Sequence, residues 1–273
     1  GRTGAVTPVA NLSPVPLSGT TVKRATLHNK DQMDLLDIHI GDWVYVEKGG
    51  EIIPKITGVE KSRRPDDASV PAFPEFCPDC GTPLVRDADE ARHYCPNQFG
   101  CPMQIRGRFI HFCSRKAMDI LAGDATVEAL VSKGLVSDIP DLYCLTKEQL
   151  MTLEGWQEKS AENFLTSLEK SRSVPFERVL YALGIRHIGE QTAKTLARRF
   201  GSVEALMEAP EEELLQIEDI GAAVAQSIRS FFTSERGRDV VERLRGCGLQ
   251  FKVAEDAATR LSDRLAGATI VIS

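Results

Sequence analysis

Four of the seven cysteines stand in two short turns, Cys77-Pro78-Asp79-Cys80-Gly81 and Cys95-Pro96-Asn97-Gln98-Phe99-Gly100-Cys101-Pro102. Two thiolates from each turn can close a tetrahedron around Zn²⁺ at about 2.3 Å per Zn–S bond. Four protein ligands leave no position for a water nucleophile, so the expected chemistry is structural. Two alternatives stand beside this reading: His93 replacing Cys95, or four thiols without a metal. Thr82 to Tyr94 reads as a short hairpin, in a ribbon with so little apolar content that metal binding must supply folding free energy. With only Arg86 and Arg92 as basic groups, the ribbon is expected mainly to brace its neighbours. Cys113, Cys144 and Cys247 are isolated and read as ordinary thiols; the pattern suits a reduced, intracellular protein rather than a disulfide framework.

A second pattern lies downstream. Leu121-Ala122-Gly123-Asp124, Leu153-Glu154-Gly155-Trp156, Ile185-Arg186-His187-Ile188-Gly189 and Ile217-Glu218-Asp219-Ile220-Gly221 each precede a helix-like stretch, with their glycines 32, 34 and 32 residues apart. Such a period reads as tandem helix–turn–helix units. A glycine at a helix start leaves backbone N–H groups open to a phosphate. Gly155, Gly189 and Gly221, with Lys159 and Lys194 near helix N-termini, are therefore candidate phosphate contacts. The competing explanation is that the glycines only permit tight helix packing. No aromatic or arginine cluster suggests reading of base edges, so binding is expected to be sequence-nonspecific and salt-dependent.

Catalytic signatures are missing. The sequence has no Gly-x4-Gly-Lys-Ser/Thr loop, no His-Glu-x2-His and no Gly-x-Ser-x-Gly elbow. The formal charge of −6 argues against indiscriminate polyanion binding, but it is unevenly placed: residues 1–120 balance, 121–160 sum to −4, 161–200 to +3 and 201–273 to −5. A protein that binds through oriented amides can be acidic overall, since the local field decides. Glu211-Glu212-Glu213 reads as a solvated helix face, and no segment is apolar enough to span a bilayer. The chain opens on Gly1-Arg2-Thr3-Gly4 rather than methionine, which suits a piece of a longer protein.

Three modules must position these features. Residues 1–72 look all-β: Thr21–Leu27, Trp43–Glu47 and Ile52–Ile56 tend toward alternation, Gly49-Gly50 suits a hairpin turn, and a small OB-fold barrel or another β domain of that size would fit. Trp43 is expected in its core, and Arg2, Lys23, Arg24, Lys48 and Lys55 could reach phosphates. Residues 73–104 form the four-cysteine zinc ribbon. From 105 to 254 the apolar period becomes 3.6: Ala161, Phe164, Leu165 and Leu168 share one face, as do Ala193, Leu196, Ala197 and Phe200, and Val224, Ile228, Phe231 and Phe232. The fold class is thus multidomain: a small all-β barrel, a zinc ribbon and an all-α array. Residues 255–273 would be a linker and the start of a further domain.

The chain resembles the C-terminal half of bacterial NAD-dependent DNA ligases. The resemblance rests on Gly1-Arg2-Thr3-Gly4, Ala25-Thr26-Leu27-His28-Asn29, Ile40-Gly41-Asp42 with Ile52-Ile53-Pro54, and the four cysteines. It continues through Ser114-Arg115-Lys116-Ala117-Met118-Asp119, Leu180-Tyr181-Ala182-Leu183-Gly184-Ile185-Arg186 and Phe231-Phe232. It implies an OB-fold that clamps duplex beside a nick, a zinc ribbon, helix–hairpin–helix repeats on the minor-groove side, and a BRCT domain of which Leu265–Ile272 resembles the first strand. By the same resemblance Arg2, Thr3, Lys48, Ile52 and Ile53 match DNA-contacting positions. Lys48 replaces the usual arginine, while Asp124 and Asp219 depart from the family turn and imply weaker first and fourth contacts.

The family reaction transfers AMP from NAD to an enzyme lysine and then to the 5′-phosphate, after which the 3′-hydroxyl seals the nick with Mg²⁺ assisting. The Lys-x-Asp-Gly motif that carries AMP does not occur in this sequence. The resemblance therefore implies a monomeric, cytoplasmic, nucleoid-associated partner of nicked double-stranded DNA that does not contact membrane. Zinc would sit in this chain, and NAD in domains that it lacks. A standalone DNA-binding or repair scaffold, or a purely structural adaptor, are the alternatives.

Overall fold

The computed structural model describes residues 2–17, 19–48, 53–87 and 90–254. Tertiary contacts divide the chain into two compact units, one ending at Gly107 and the other beginning at Arg108.

The first unit is built on a four-stranded sheet. Its strands are β1 (Val9–Leu17), β2 (Thr20–Thr26), β3 (Val44–Glu47) and β4 (Lys55–Val59), in the order β1-β2-β4-β3. β1–β2 and β3–β4 pair antiparallel, while β2–β4 is a brief parallel contact at Thr26 and Lys55. Bulges interrupt the register of β1 between Asn11 and Val15, and of β3 at Tyr45/Val46. Bulges of this kind bend a sheet and increase its twist. Helix α1 (Lys30–Leu36) enters on Asn29, whose side chain accepts the Gln32 N–H, and closes on Asp37 in the left-handed region.

The core of this unit is small: Ala25, Leu27, Met33, Ile38 and Ile56, with Leu12, Val44, Val46 and Phe73 against them. An ionic clasp supplements it. Arg64 reaches Asp42, whose carboxylate is almost fully buried, at 2.8 Å and Asp37 at 3.2 Å, and Lys61 meets Asp37 at 2.8 Å. Burial alone would raise the Asp42 carboxyl, but Arg64 and the His39 N–H outweigh it and hold it below its usual value.

The expected core position of Trp43 is not observed. Its side chain is 55% exposed with the Arg63 guanidinium stacked 3.5 Å from the ring centroid. Val44 and Val46 take the inward face, so strand alternation turns Trp43 and Tyr45 outward. The Gly49-Gly50 turn and the Leu265–Ile272 strand lie outside the described residues.

The second unit is helical. After α2 (Pro102–Cys113) come α3 (Asp124–Ser132), a 3₁₀ segment (Ile139–Cys144), α4 (Lys147–Met151) and α5 (Glu158–Ser171). Then follow α6 (Phe176–Ala182), α7 (Glu190–Phe200), α8 (Val203–Glu208), α9 (Glu211–Leu215), α10 (Ala222–Thr233) and α11 (Glu235–Gly246). The apolar stripes bury as their period requires, with Ala161, Phe164 and Leu168, then Ala193, Leu196 and Ala197, then Ile228 and Phe232 at most 4% exposed. The expected solvated acidic face appears at the start of α9, where Glu213 meets Arg199 at 3.3 Å.

A polar lock joins the 3₁₀ segment to α11. Asp141 accepts the Ser137 and Asp138 N–H groups at 2.8 Å and Arg243 Nη2 at 2.6 Å, and Arg236 reaches the buried Asp138 at 3.2 Å. Burial opposes ionisation of Asp141, yet these donors overcome it and hold the carboxyl at about 2. A depressed folded-state pKa contributes stability above the unfolded value near 3.9, and this is lost as pH falls toward 2. Asp141→Ala is thus expected to destabilise the helical unit by about 2 kcal/mol at pH 7. In urea denaturation the difference from wild type should shrink between pH 4 and pH 2; a pH-independent difference would contradict the assignment.

Candidate metal centre and nucleic-acid interface

Cys77, Cys80, Cys95 and Cys101 converge with their four Sγ atoms within 4.8 Å of one another. The Cys77–Cys101 and Cys80–Cys95 separations are 3.9 and 3.5 Å. A tetrahedron with Zn–S bonds of about 2.3 Å has edges of about 3.8 Å, so the donors fit Zn²⁺ as they stand. His93 is not among them; its ring packs on Phe73 at 4.8 Å.

Local backbone bonding builds each turn. The Cys77 N–H donates to Thr82 O and the Gly81 N–H to Cys77 O, while the Cys101 N–H donates to Asn97 O. The hairpin between them is present as a reciprocal Val85–Tyr94 pair at 2.8 and 2.9 Å. Thr82 Oγ1 lies 3.2 Å from Cys80 Sγ, and hydrogen bonding from Thr82 brings that thiol down to about 6. Burial pushes Cys95 up to about 12 and raises Cys101 as well. Buried thiols of this kind ionise together only when a cation offsets their charge.

Three outer residues escape sequence reading. Asn97 bonds the Gly100 N–H through Oδ1 and approaches Thr82 Oγ1 through Nδ2. Gln104, 1% exposed, donates to Cys95 O at 3.0 Å. Arg86 forms a two-pronged pair with Asp31, both bonds at 2.7 Å, tying the ribbon to α1. Asn97 and Gln104 sit beside ligands in sequence, but only the fold shows which backbone atoms they serve.

The candidate contacts on the first unit differ in exposure. Arg2, Thr3 and Ile53 are exposed, the last at 63%. Lys48 is half-buried and donates to Thr20 Oγ1 at 2.9 Å, and Ile52 lies outside the described residues.

In the helical unit the turns prove more regular than the glycine count. Gly155, His187 and Asp219 all have φ near +70° and are spaced evenly by 32 residues. Each stands two residues before a helix cap: Gln157, Gly189 or Gly221. Gly155 is therefore the equivalent of Asp219, not of Gly189. His and Asp tolerate this left-handed conformation better than most side chains, which is how two units dispense with glycine there.

The capping glycines Gly123, Gly189 and Gly221 share φ between −83° and −87° and ψ near 176°, and none receives a side-chain cap. A Cβ at any of the three would meet nothing within 4 Å. Packing among the described residues therefore does not require these glycines, which removes tight packing there as their explanation.

The turns differ in where their charges stand. Asp124, Glu158 and Glu190 occupy the first turns of α3, α5 and α7, whereas the first turn of α10 has no acidic residue. Lys194 meets Glu190 at 3.2 Å, Lys116 meets the same carboxylate at 3.3 Å, and these cations hold it below its usual pKa. Lys159 is exposed at the second position of α5. The acids of the fourth unit, Glu218 and Asp219, instead precede its cap.

Metal dependence follows directly from the ribbon. About one Zn²⁺ per chain is expected by atomic absorption, and chelation should abolish amide protection across residues 77–101. Protection retained in metal-free protein would refute a structural role. Lowering the pH should release zinc as protons displace it from thiolate.

Comparison with known proteins agrees with this geometry. The NAD-dependent DNA ligase OB-fold domain matches residues 1–68, the NAD-dependent DNA ligase C4 zinc finger domain residues 76–102, and the helix-hairpin-helix motif residues 178–241. The chain is 55% identical to the DNA ligase of Parabacteroides distasonis, 52% to that of Christiangramia forsetii and 52% to that of Bacteroides fragilis. Each similarity covers 100% of this chain and 41% of the relative, so the chain spans about two-fifths of the length of the curated relatives it matches. The four-cysteine cluster is accordingly a structural zinc site. In this order the chain carries the OB-fold and C4 zinc finger domains of NAD-dependent DNA ligases and a helix-hairpin-helix motif, and it is similar along its whole length to the corresponding two-fifths of bacterial DNA ligases.

Proposed function

We propose that this chain is the duplex-holding portion of a ligase that seals 5′-phosphate/3′-hydroxyl nicks through lysine-AMP and DNA-adenylate intermediates. It holds nicked double-stranded DNA without reading sequence, acts as a monomer, and does not ligate alone because it contains no Lys-x-Asp-Gly motif. Residues 1–72, 73–104 and 105–254 serve as OB-fold, ribbon and helical grip.

One observation carries the reading. Three helix starts repeat a single backbone geometry, end in a glycine that packing does not need, and lack a side-chain cap. Serine, threonine, aspartate or asparagine would cap those N–H groups better. Glycine there sacrifices capping and keeps the amides approachable, which suits a phosphate oxygen docking from outside. Arg2, Thr3, Lys48, Ile52 and Ile53 on the OB-fold, and Gly155, Lys159, Gly189, Lys194 and Gly221 on the array, are the proposed contacts. The identity to DNA ligases over the whole chain favours this over a standalone scaffold.

Fluorescence anisotropy with nicked and intact duplex across a salt series tests the binding. Affinity should fall steeply with salt and vary little with sequence. Gly189→Ser should leave thermal stability unchanged or slightly raised while weakening nicked-duplex binding about threefold to tenfold, because the hydroxyl competes for the amides. Equal binding by this variant would reject the amide grip. With NAD, Mg²⁺ and nicked DNA the chain alone should yield neither a lysine-AMP adduct nor sealed product; either would overturn the proposed inactivity.

A further inference from the structure

The first residues of the chain do not pair with the main sheet; they lie on the zinc ribbon. Ala5 bridges Tyr94 antiparallel, the Val6 N–H donates to His93 O at 3.0 Å, and the Cys95 N–H donates to Gly4 O at 2.9 Å. Gly4 has φ +80°, and a Cβ there would stand 2.4 Å from Cys95 O and 3.0 Å from the Gln104 side-chain oxygen. On the other side Gly107 faces Arg2: a Cβ on Gly107 would lie 2.5 Å from Arg2 Cβ and 2.7 Å from Arg2 Cα. Contacts this short are essentially forbidden, so both glycines mark backbone approaches that any side chain would push apart.

Both docking surfaces are held by ligands of one metal. Cys95 donates its N–H to Gly4 O, its carbonyl lies against Gly4, and Gln104 donates to that carbonyl from α2. Cys101 immediately precedes α2, and its carbonyl accepts the Ile105 N–H, so the ligand starts the helix that carries Gly107. Among the described residues no other element bonds the Gly4 carbonyl.

We propose that the zinc ribbon is a dock that fixes where Arg2 is presented to duplex phosphate, with Gly107 and Gly4 as positioning residues. The proposal rests on the reading of Arg2 as a phosphate contact. It assigns the metal an action on binding geometry through residues 2–6, beyond holding the ribbon folded.

The test is a double-mutant cycle on the full 273-residue chain. Arg2→Ala and Gly107→Ala should each weaken nicked-duplex binding about fivefold at low salt, and the double variant should lose little more than either one. Zinc content should stay near one per chain in all three. Losses that multiply, wild-type affinity in Gly107→Ala, or loss of zinc from that variant would overturn the proposal, since the glycine would then act independently of Arg2.

Amide exchange without DNA gives a second readout. Protection at Val6 and Cys95 should fall at least about tenfold in Gly107→Ala, with the Val85–Tyr94 pair still protected. Were wild type not to bind nicked duplex, the functional reading would fail by itself. The dock would still be decided by exchange, unchanged protection at Val6 and Cys95 overturning it.

Discussion

Bringing four thiols into contact is the constraint on which the first unit depends. Cys77, Cys95 and Cys101 are buried, and among the described residues Cys80 and Leu84 are the partly buried apolar groups packed against them. Four uncompensated thiolates would repel one another and lose hydration, while four thiols would contribute little packing. A dication resolves both difficulties, and its binding free energy replaces the hydrophobic burial that so short a segment cannot provide. The Arg86–Asp31 fork and the Gly4–Cys95 contact then carry that rigidity outward to α1 and to the start of the chain.

The helical unit solves a different problem. Short helices such as α4, α6, α8 and α9 cannot bury enough surface alone, and each closes its apolar stripe on a neighbour. The turns between them must reverse direction within a few residues, which accounts for the left-handed residues Gly155, His187 and Asp219 at an even spacing. Once the reversal is assigned to those positions, the caps two residues later are released from it. Gly189 and Gly221 then have ordinary dihedral angles and open surroundings, so their backbone amides stay uncovered by any side chain of their own.

Several features are legible in sequence because they depend on local chemistry. Cysteine spacing specifies the metal, the 3.6 period specifies the buried stripes, and the family motifs specify the module order. The finer assignments fail where sequence offers two equivalent marks. Gly155 and Gly189 look alike as letters, yet one supplies the left-handed turn and the other the cap. Trp43 reads as a core aromatic because alternation has no absolute phase; the pairing of β3 with β4 gives the inward face to Val44 and Val46.

The sequence by itself determined the zinc ligands, the sheet-bearing and helical modules and the repeat, since each follows from residue types at fixed separations, whereas helix α1 inside the expected all-β module went unread. Only the tertiary structure decided which glycines are structurally dispensable, which carboxylates already hold a cation, and where the first residues dock. Those depend on atoms remote in the chain: Arg243 on Asp141, Lys116 on Glu190, and the backbone of Arg2 against Gly107. Close approach between distant segments leaves no periodic trace, because a single small residue satisfies it.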